Sequence, residues 1–386
     1  MEKNSINVVK EIMMDFSSFT GLKPESEHPK RYLWTDAFAV CNFLELFVKT
    51  GNEDYLNLAL LLVDQVHHIL GKHREDDSRS GWISGLNDHE AEKHPTIGGL
   101  RIGKRLNERK PNEPIDQRLE WDQDGQYYHY LTKWMHALNR VSQITEDSKY
   151  LKWAIELANT AHKSFTYLPL DRDRKIMYWK MSIDLTHPQV LSMGQHDPLD
   201  GFITYNELKI VAEDLKKPNF PKLDVEISEM ADICRGMNLV TNDPLGIGGL
   251  LFDSSRTAQL ISKGNLKYNN LLKVILNSAL IGMGSFLKGN SLGLPPDYRL
   301  AFRELGLSLG LKAVNYLKKW FNDDKITNNH INEIITSLIN YSSLANKIED
   351  FWINGKNRQS RSWAEHREIN MVMLATSLAP NQFISI

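Results

Sequence analysis

The sequence has almost no net charge and only two cysteines. Its 46 basic and 48 acidic residues give a formal net charge of -2. No segment combines a basic run with interleaved aromatic residues, so we do not expect a nucleic-acid partner. Cys41 and Cys234 each fall within an apolar helical pattern. This favours buried, reduced thiols and a cytoplasmic location, although the sequence alone leaves a bridge between them open.

Long apolar runs and metal-ligand spacings are also missing. The most apolar run, residues 56–70, is interrupted by Asp64, Gln65, His67 and His68 and is too short to span a bilayer, so it predicts a core helix. The first residues lead into no secretory signal, and we expect no membrane partner. No His-x3-His or Cys-x2-Cys spacing occurs, so we expect no dedicated zinc site and no cofactor.

Helical periodicity dominates what is present, and two segments predict helical hairpins. One pairs a helix around Trp34 with a helix over 55–70, and the other pairs 126–142 with 150–165. Thr50-x4-Tyr55-Leu56-x2-Ala59 matches Thr145-x4-Tyr150-Leu151-x2-Ala154 at a constant offset, which is typical of a repeated hairpin. A shared turn chemistry would produce the same match.

The remaining pattern predicts about a dozen helices in a single domain over residues 1–386. Residues 176–183 form the one convincing strand, which we interpret as a hairpin arm. Residues 72–121 have little periodicity but contain apolar anchors, so we expect a long ordered loop over one face of the helices. The other helices are predicted at 5–20, 200–216, 224–240, 248–262, 267–287, 297–321, 329–349 and 363–377.

The segment 118–130 concentrates acids and aromatic residues just before a helix. Asp122 and Asp124 lie two residues apart, and in an extended segment both side chains would face one cavity beside Trp121 and Tyr128. Two carboxyl groups, one protonated and one ionised, are what acid/base glycoside hydrolysis requires. The alternative is that Asp124 caps the helix and Asp122 is a solvated loop acid.

A second acidic candidate lies further along, in the turn that holds His196, Asp197 and Asp200. Aspartates in turns commonly bond their own backbone, which is the alternative explanation here.

Arginines of the loop suggest binding of a carboxylate or phosphate, and tryptophans suggest stacking on a sugar ring. A self-neutralising charge run and loop-pinning tryptophans explain the same residues without function. The predicted substrate-binding residues are Arg74, Arg79, Trp82, His94, Arg101, Trp121, Tyr128 and Arg361.

The first hairpin resembles a known superfamily. Trp34-Thr35-Asp36-Ala37-Phe38, followed by Thr50-Gly51-Asn52-x2-Tyr55-x3-Ala59, resembles the six-hairpin glycosidase superfamily, and within it the unsaturated glucuronyl hydrolases. Ala37 departs from the glycine of that family. His196-Asp197-Pro198-Leu199-Asp200-Gly201-Phe202 is similar to the family's His-Asp-x-Gly-Phe catalytic segment, with two extra residues and a later position in the chain.

This resemblance implies an all-α fold, an (α/α)6 toroid, and a glycoside hydrolase-like enzyme acting on a sugar or uronate as its small-molecule substrate. Our leading hypothesis is acid/base hydrolysis at Asp122 and Asp124. Sugar 2-epimerases share the toroid, so the second hypothesis is an epimerase or isomerase that uses His94, His129 or His196 as a proton shuttle. The third is a non-catalytic helical scaffold that binds a ligand or a protein.

Overall fold

The computed structural model describes residues 2–116, 118–215, 220–264, 269–321 and 329–386, which are mostly helical. The helices are α1 (Glu2–Phe19), α2 (Leu33–Thr50), α3 (Glu53–Leu70), α4 (Asp88–Ala91), α5 (Tyr128–Thr145), α6 (Ser148–Phe165), α7 (Asp197–Asp214), α8 (Asp224–Cys234), α9 (Pro244–Ser262), α10 (Asn269–Lys288), α11 (Ala301–Phe321), α12 (Asn329–Ile339), α13 (Ser342–Ile353), α14 (Arg361–Glu365), α15 (Arg367–Leu378) and α16 (Asn381–Ile384). The strands are β1 (Gln126–Tyr127), β2 (Thr166–Tyr167), β3 (Ile176–Met177), β4 (Lys180–Met181) and β5 (Pro188–Val190).

The chain divides into two compact units. We call residues 17–47 and 51–237 the N-terminal unit. Residues 238–386, together with 48–50 and the segment up to Phe16, form the C-terminal unit. A single domain over residues 1–386 stays a prediction.

The predicted repeat of helical hairpins is confirmed at the two turns. After α2 the chain turns at Gly51 with φ 68°, and the side chain of Asn52 then caps α3 by accepting the N–H of Asp54 at 2.9 Å. After α5 the chain turns at Glu146 with φ 58°, and Asp147 caps α6. A left-handed residue followed by an Asx cap ends one helix and starts the next, which explains the constant offset between the two segments.

Helix packing follows the chain order. In the N-terminal unit, α5 packs against α6 and α7, and α7 packs against α8. In the C-terminal unit, α9 packs against α10 and α11, and α11 packs against α12, α13 and α15. Two predicted helices are divided: 329–349 is interrupted between α12 and α13, and 363–377 is interrupted at His366 between α14 and α15.

The close approach of α9 and α11 depends on glycine. A β-carbon at Gly248 would lie 2.1 Å from the carbonyl oxygen of Gly306, and one at Gly310 would lie 2.5 Å from the carbonyl oxygen of Gly248. These distances are far inside van der Waals contact, so the two backbones meet only because no side chain separates them.

The prediction of one strand over 176–183 is wrong. Ile176–Met177 pairs with Thr166–Tyr167 in a two-stranded sheet, whereas Lys180–Met181 lies between β1 and β5 in a three-stranded antiparallel sheet. The chain passes from one sheet to the other at Tyr178 and Trp179. Their side chains belong to two different aromatic contacts, because Tyr178 stacks on Tyr167 at 4.1 Å while Trp179 approaches Tyr127 at 5.4 Å.

The long segment 72–121 is ordered over its described part, as predicted. Trp82, Ile83, Leu100 and Ile102 are buried anchors. Trp121 is 55% exposed, so it does not pin the loop to the core. In its described part the loop contains α4, one 3-10 turn at Leu119–Trp121, and isolated β-bridges of Lys72 with Trp82 and of Leu106 with Gln123.

Cys41 and Cys234 are not joined by a disulfide. Cys41 is buried in α2, and burial raises the pKa of its thiol to about 12. Cys234, the last residue of α8, is half-buried. These two environments agree with the expectation of reduced thiols.

One helix among the described residues, Asn270–Lys288, is long and apolar enough in composition to cross a membrane. It packs against α9, and 44% of it is buried inside the protein. A core helix passes the same test of length and composition.

Candidate active site

The first turns of α5 and α7 lie together in the N-terminal unit and carry most of its chemistry-capable side chains. Antiparallel pairing of Tyr127 with Lys180 sets the neighbouring Trp179 beside the start of α5. His129 follows on α5, and Asp197 is the first residue of α7. We call Tyr127, His129, Trp179 and Asp197 the helix mouth.

Aromatic rings surround His129. Its ring lies 5.5 Å from that of Tyr127 and 6.4 Å from that of Trp179, nearly parallel to the latter at 17°. The ring of Tyr130 meets it edge-on at 4.7 Å. Exposed Trp121 extends the group, with its ring 5.5 Å from that of Trp179. Apolar ring faces of this kind suit the C–H face of a sugar.

His129 and Asp197 are two titratable side chains that face each other in the mouth. Nδ1 of His129 lies 3.7 Å from Oδ1 of Asp197, close enough for an ion pair and too far for a direct hydrogen bond. Nδ1 of His129 and Oδ2 of Asp197 are both buried, and neither has a hydrogen-bond partner among the residues that the structure describes. Buried polar atoms are normally paired, so these two are available to a substrate hydroxyl or a bridging water.

The buried side chain of Lys180 links the loop to the strand beside the helix mouth. Nζ of Lys180 is fully enclosed and donates at 3.0 Å to the side chain and carbonyl of Glu120 and to the carbonyl of Gln123. Burial lowers the pKa of Lys180 and the Glu120 carboxylate opposes this shift. Burial also raises the pKa of the Tyr127 phenol, which keeps that hydroxyl neutral. Lys180 is a brace between the loop and β4, with all three donors occupied.

The structure separates the two carboxylates of the leading hypothesis. Asp124 has no exposed surface; its carboxylate accepts from Arg101 at 2.6 Å, from Arg74 at 3.4 Å and from the N–H of Gly103 at 3.0 Å. Asp122 is exposed to solvent. The two side chains therefore do not face one cavity. Asp124 is not a helix cap either, because the residue that precedes α5 is Tyr127. Catalysis by either acid stays a prediction.

The second acidic candidate is also divided. Asp197 belongs to the helix mouth, whereas Asp200, nearly one turn further along α7, accepts from Lys133 Nζ at 2.7 Å and from the hydroxyl of Thr132. His196 precedes the first turn of α7. Asp197 is thus the member of this group that meets the aromatic cluster.

The arginines predicted to bind substrate are engaged within the chain. Arg74 forms a two-point contact with Asp76 at 2.7 and 3.0 Å. Arg79 contacts Asp77, Glu108 and Asp184. Besides Asp124, Arg101 binds the backbone carbonyls of Lys72 and Ile69 at 2.7 Å each. These forks brace the loop, which agrees with the self-neutralising alternative.

The other predicted substrate-binding residues fall into three groups. Trp82 is buried and donates to Asp88, and His94 contacts Glu156 at 2.8 Å, so both hold the loop. Tyr128 is fully buried and bonds the hydroxyl of Tyr205 at 2.8 Å, turned away from the mouth. Arg361 lies in the C-terminal unit, where it is exposed and pairs with Glu365. Within this set, the ring of Trp121 contacts that of Trp179 in the helix mouth, and the N–H of Tyr128 donates to the carbonyl of Trp179 at 3.5 Å.

Sequence reasoning did not single out Trp179 or Asp197 as the partners of His129. Trp179 was assigned to a continuous strand, and Asp197 was grouped with its sequence neighbours. The available signal was the aromatic density of 127–130 itself, which marks the same helix end.

Comparison with known proteins identifies the fold. No family model and no curated protein matches the chain. Among solved structures, the GH76 alpha-mannanase of Bacteroides thetaiotaomicron matches with a TM-score of 0.50 and 10% identity, over 91% of this chain and 87% of that one. This chain has the (α/α)6 toroid fold.

The (α/α)6 toroid architecture expected from the first hairpin is therefore confirmed. The cellobiose 2-epimerase of Spirochaeta thermophila matches over 95% of this chain and 97% of that one, with a TM-score of 0.49 and 12% identity. The corresponding enzyme of Bacillus thermoamylovorans matches with a TM-score of 0.45 and 11% identity, over 81% of this chain and 76% of that one. At such identities the likeness concerns the fold.

Proposed function

We propose that this protein is an enzyme that acts on a carbohydrate bound at the helix mouth. The mannanase that shares the fold acts on a sugar polymer, and the (α/α)6 toroid is here combined with a mouth lined by Tyr127 and Trp179. Aromatic faces bury the C–H surface of a sugar ring, while nearby polar atoms bind its hydroxyls. The exposed Trp121 extends this surface outward.

We further propose that the reaction is epimerisation or isomerisation by proton transfer at His129. The observation that carries this proposal is the pair of unsatisfied buried atoms, Nδ1 of His129 and Oδ2 of Asp197, in side chains 3.7 Å apart. A neutral imidazole is a suitable base near neutral pH, and a carboxylate beside it stabilises the imidazolium that forms.

The chemistry balances without a redox partner. In an open-chain aldose, His129 would take the proton from C2, the electron pair of that C–H bond would enter the C1–C2 bond, and the carbonyl oxygen would become an enolate. Return of a proton from solvent to the opposite face of C2 re-forms the carbonyl and gives the epimer, while the imidazolium releases its proton to solvent. Return of a proton to C1, with transfer of the O2 proton to O1, gives the ketose. Asp197 would hold the imidazole in place and would not itself bond to carbon.

Hydrolysis requires two available carboxyl groups near one glycosidic oxygen. Asp197 would be one of them. The carboxylate of Asp124 is occupied by arginines, which disfavours it as the second. This leaves hydrolysis as the second candidate, with exposed Asp122 as the other acid to test.

Incubation in D2O with D-glucose, D-mannose, cellobiose and mannobiose, followed by ¹H NMR, separates the possibilities. Epimerisation predicts a single isomer in which deuterium replaces the C2 hydrogen, and isomerisation predicts a ketose with deuterium at C1. Two fragments without deuterium at C2 would establish hydrolysis instead. Retention of a sugar without any turnover would support the non-catalytic scaffold.

A further inference from the structure

A cavity of about 180 Å³ lies between α3, α6 and the loop of the N-terminal unit, and it shares no residue with the helix mouth. Its walls include the rings of His67, Tyr150 and Trp153, and its rim includes Asp64, His68, Glu92 and Lys149. We call it the His67 cavity. Its volume exceeds what a single ordered water fills, so it has room for a small molecule.

The neighbouring indole fixes the proton position on His67. Nε1–H of Trp134 donates to Nε2 of His67 at 3.1 Å. An indole nitrogen only donates, so Nε2 must carry the lone pair and the ring proton must reside on Nδ1. Burial, with a smaller contribution from His68, lowers the pKa of His67 to about 3, so the ring is neutral at physiological pH. His67 therefore has one N–H donor, which is at Nδ1.

That donor is not satisfied by the protein. His67 is only 3% exposed, and among the described residues its ring makes one hydrogen bond, at Nε2 with Trp134. Nδ1 does not belong to the enclosed unpaired atoms, so it is open to the cavity. Its ring forms part of the cavity wall and meets the ring of Trp153 edge-on at 5.1 Å. This N–H is therefore available to an acceptor atom of a molecule that occupies the cavity.

The charges on the rim favour a neutral ligand. His68 lies 2.8 Å from Glu92 and 3.3 Å from Asp64, and Lys149 lies 3.0 Å from Asp147. Asp64 and Glu92 thus share one imidazole and Lys149 has its own carboxylate, so no unpaired positive charge remains on the rim to attract an anion. A divalent metal is disfavoured as well, because the lone pair of His67 is already committed to Trp134.

The walls favour a molecule with both C–H faces and hydroxyl groups. Tyr150 and Trp153 meet edge-to-face at 5.2 Å and form an aromatic corner opposite the apolar side chains of α3. The carboxylates of Asp64 and Glu92 are acceptors for hydroxyl donors at the rim. Such a mixture matches a sugar or polyol better than a purely apolar molecule.

We propose that the His67 cavity binds one neutral polyhydroxyl molecule, a monosaccharide or polyol, whose hydroxyl oxygen accepts the Nδ1–H of His67. This site is separate from the helix mouth and does not depend on the reaction proposed there.

The test uses the full-length protein with ¹⁵N-labelled tryptophan, titrated with D-mannose, D-glucose and glycerol. The nine indole N–H signals, assigned by single Trp→Phe variants, report on both sites in one spectrum. Trp134 and Trp153 report on the His67 cavity, and Trp121 and Trp179 report on the helix mouth. We expect a saturable shift of the Trp134 and Trp153 signals with at least one probe.

Two substitutions of the same residue form a matched pair. His67→Gln keeps an acceptor near the position of Nε2 for Trp134 but removes the cavity donor, so we expect the affinity to fall at least about tenfold. His67→Asn keeps an amide donor near the position of Nδ1 and loses the Trp134 partner, so we expect binding to survive in a less stable protein. Leu60→Trp, which fills the cavity without touching His67, should abolish the shifts if His67→Gln fails to fold.

Equal affinity in the wild type and His67→Gln, or in the wild type and Leu60→Trp, would overturn the proposal. So would titrations in which only the Trp121 and Trp179 signals move, or in which none moves, because the cavity would then hold water alone. Because the two sites are read from different signals, loss of turnover at the mouth does not affect the outcome here.

Discussion

Nδ1 of His129 and Oδ1 of Asp197 lie 3.7 Å apart at the starts of two neighbouring helices, although 68 positions separate them in the chain. If this pair transfers the proton, His129→Asn and Asp197→Asn should each lower kcat by about 10²- to 10⁴-fold, since a positioned acid or base contributes that much. Steady-state kinetics on the substrate identified by NMR measures the effect, and circular dichroism checks the fold.

Asp122→Asn is the control for this experiment. Asp122 is exposed and lies outside the helix mouth, so the substitution should leave kcat within about twofold, the usual result for a surface change away from a site. The opposite pattern, with Asp122→Asn inactive and His129→Asn fully active, would reject the proton-transfer proposal and favour carboxylate hydrolysis.

Local sequence signals predicted the helices and their turns but not the partners of the acids. Helical periodicity and the Thr50 and Thr145 turns depend on residues a few positions apart, and both are visible in the sequence. Asp124 instead binds Arg101 and Arg74, which are 23 and 50 positions away. Spacing of two residues gave no information on which acid is enclosed, because the loop folds over Asp124 and leaves Asp122 outside.

The strand region shows the same limit. Residues 176–183 have the composition of one strand, and each half does pair with a strand. Which partner each half takes depends on where β1 and β2 end in space, and no local pattern encodes that. Because the chain changes sheets at Tyr178 and Trp179, the ring of Trp179 lies beside that of His129. The wrong strand prediction and the missed contact of Trp179 therefore have the same cause.

Asp124 should be a structural residue whose loss destabilises the protein. Asp124→Asn leaves the buried guanidinium of Arg101 without its carboxylate partner, so we expect the free energy of unfolding to fall by about 3 kcal/mol. Asp76→Asn removes an exposed partner of Arg74. Because the Asp76 side chain is 58% exposed, we expect the free energy of unfolding to fall by less than about 1 kcal/mol. Urea denaturation of both variants gives the comparison; equal losses would contradict the assigned role of Asp124.

The contact of α9 with α11 predicts opposite effects for adjacent glycines. Gly248→Ala would force its β-carbon onto the carbonyl of Gly306, so the helices must separate and we expect a loss of about 2 kcal/mol or more. A β-carbon at Gly249 meets nothing within 4 Å, and alanine is the better helix former, so Gly249→Ala should stabilise by about 0.5–1 kcal/mol. Thermal unfolding measures both; a stabilising Gly248→Ala would show that the two backbones are not in contact.

His67 should make stability depend on pH below neutrality. The folded protein holds this imidazole neutral, because burial lowers its pKa from 6.5 to about 3. The unfolded chain takes up a proton near pH 6.5 and therefore binds more protons than the folded protein between about pH 6.5 and 3. The His67 contribution to stability is thus complete above this window and is lost as the pH falls through it, by up to about 1.4 kcal/mol per pH unit.

Replacing His67 by glutamine removes the titrating group and keeps an acceptor for Trp134. The slope of unfolding free energy against pH between about 4 and 6 should therefore decrease by close to one proton relative to the wild type. His89→Gln is the matched control, since the His89 side chain is 77% exposed and folding changes its surroundings little. Urea unfolding across this range measures the three slopes. An unchanged slope in His67→Gln would mean that the imidazole is protonated inside the folded protein, and the assignment of its proton to Nδ1 alone would then be wrong.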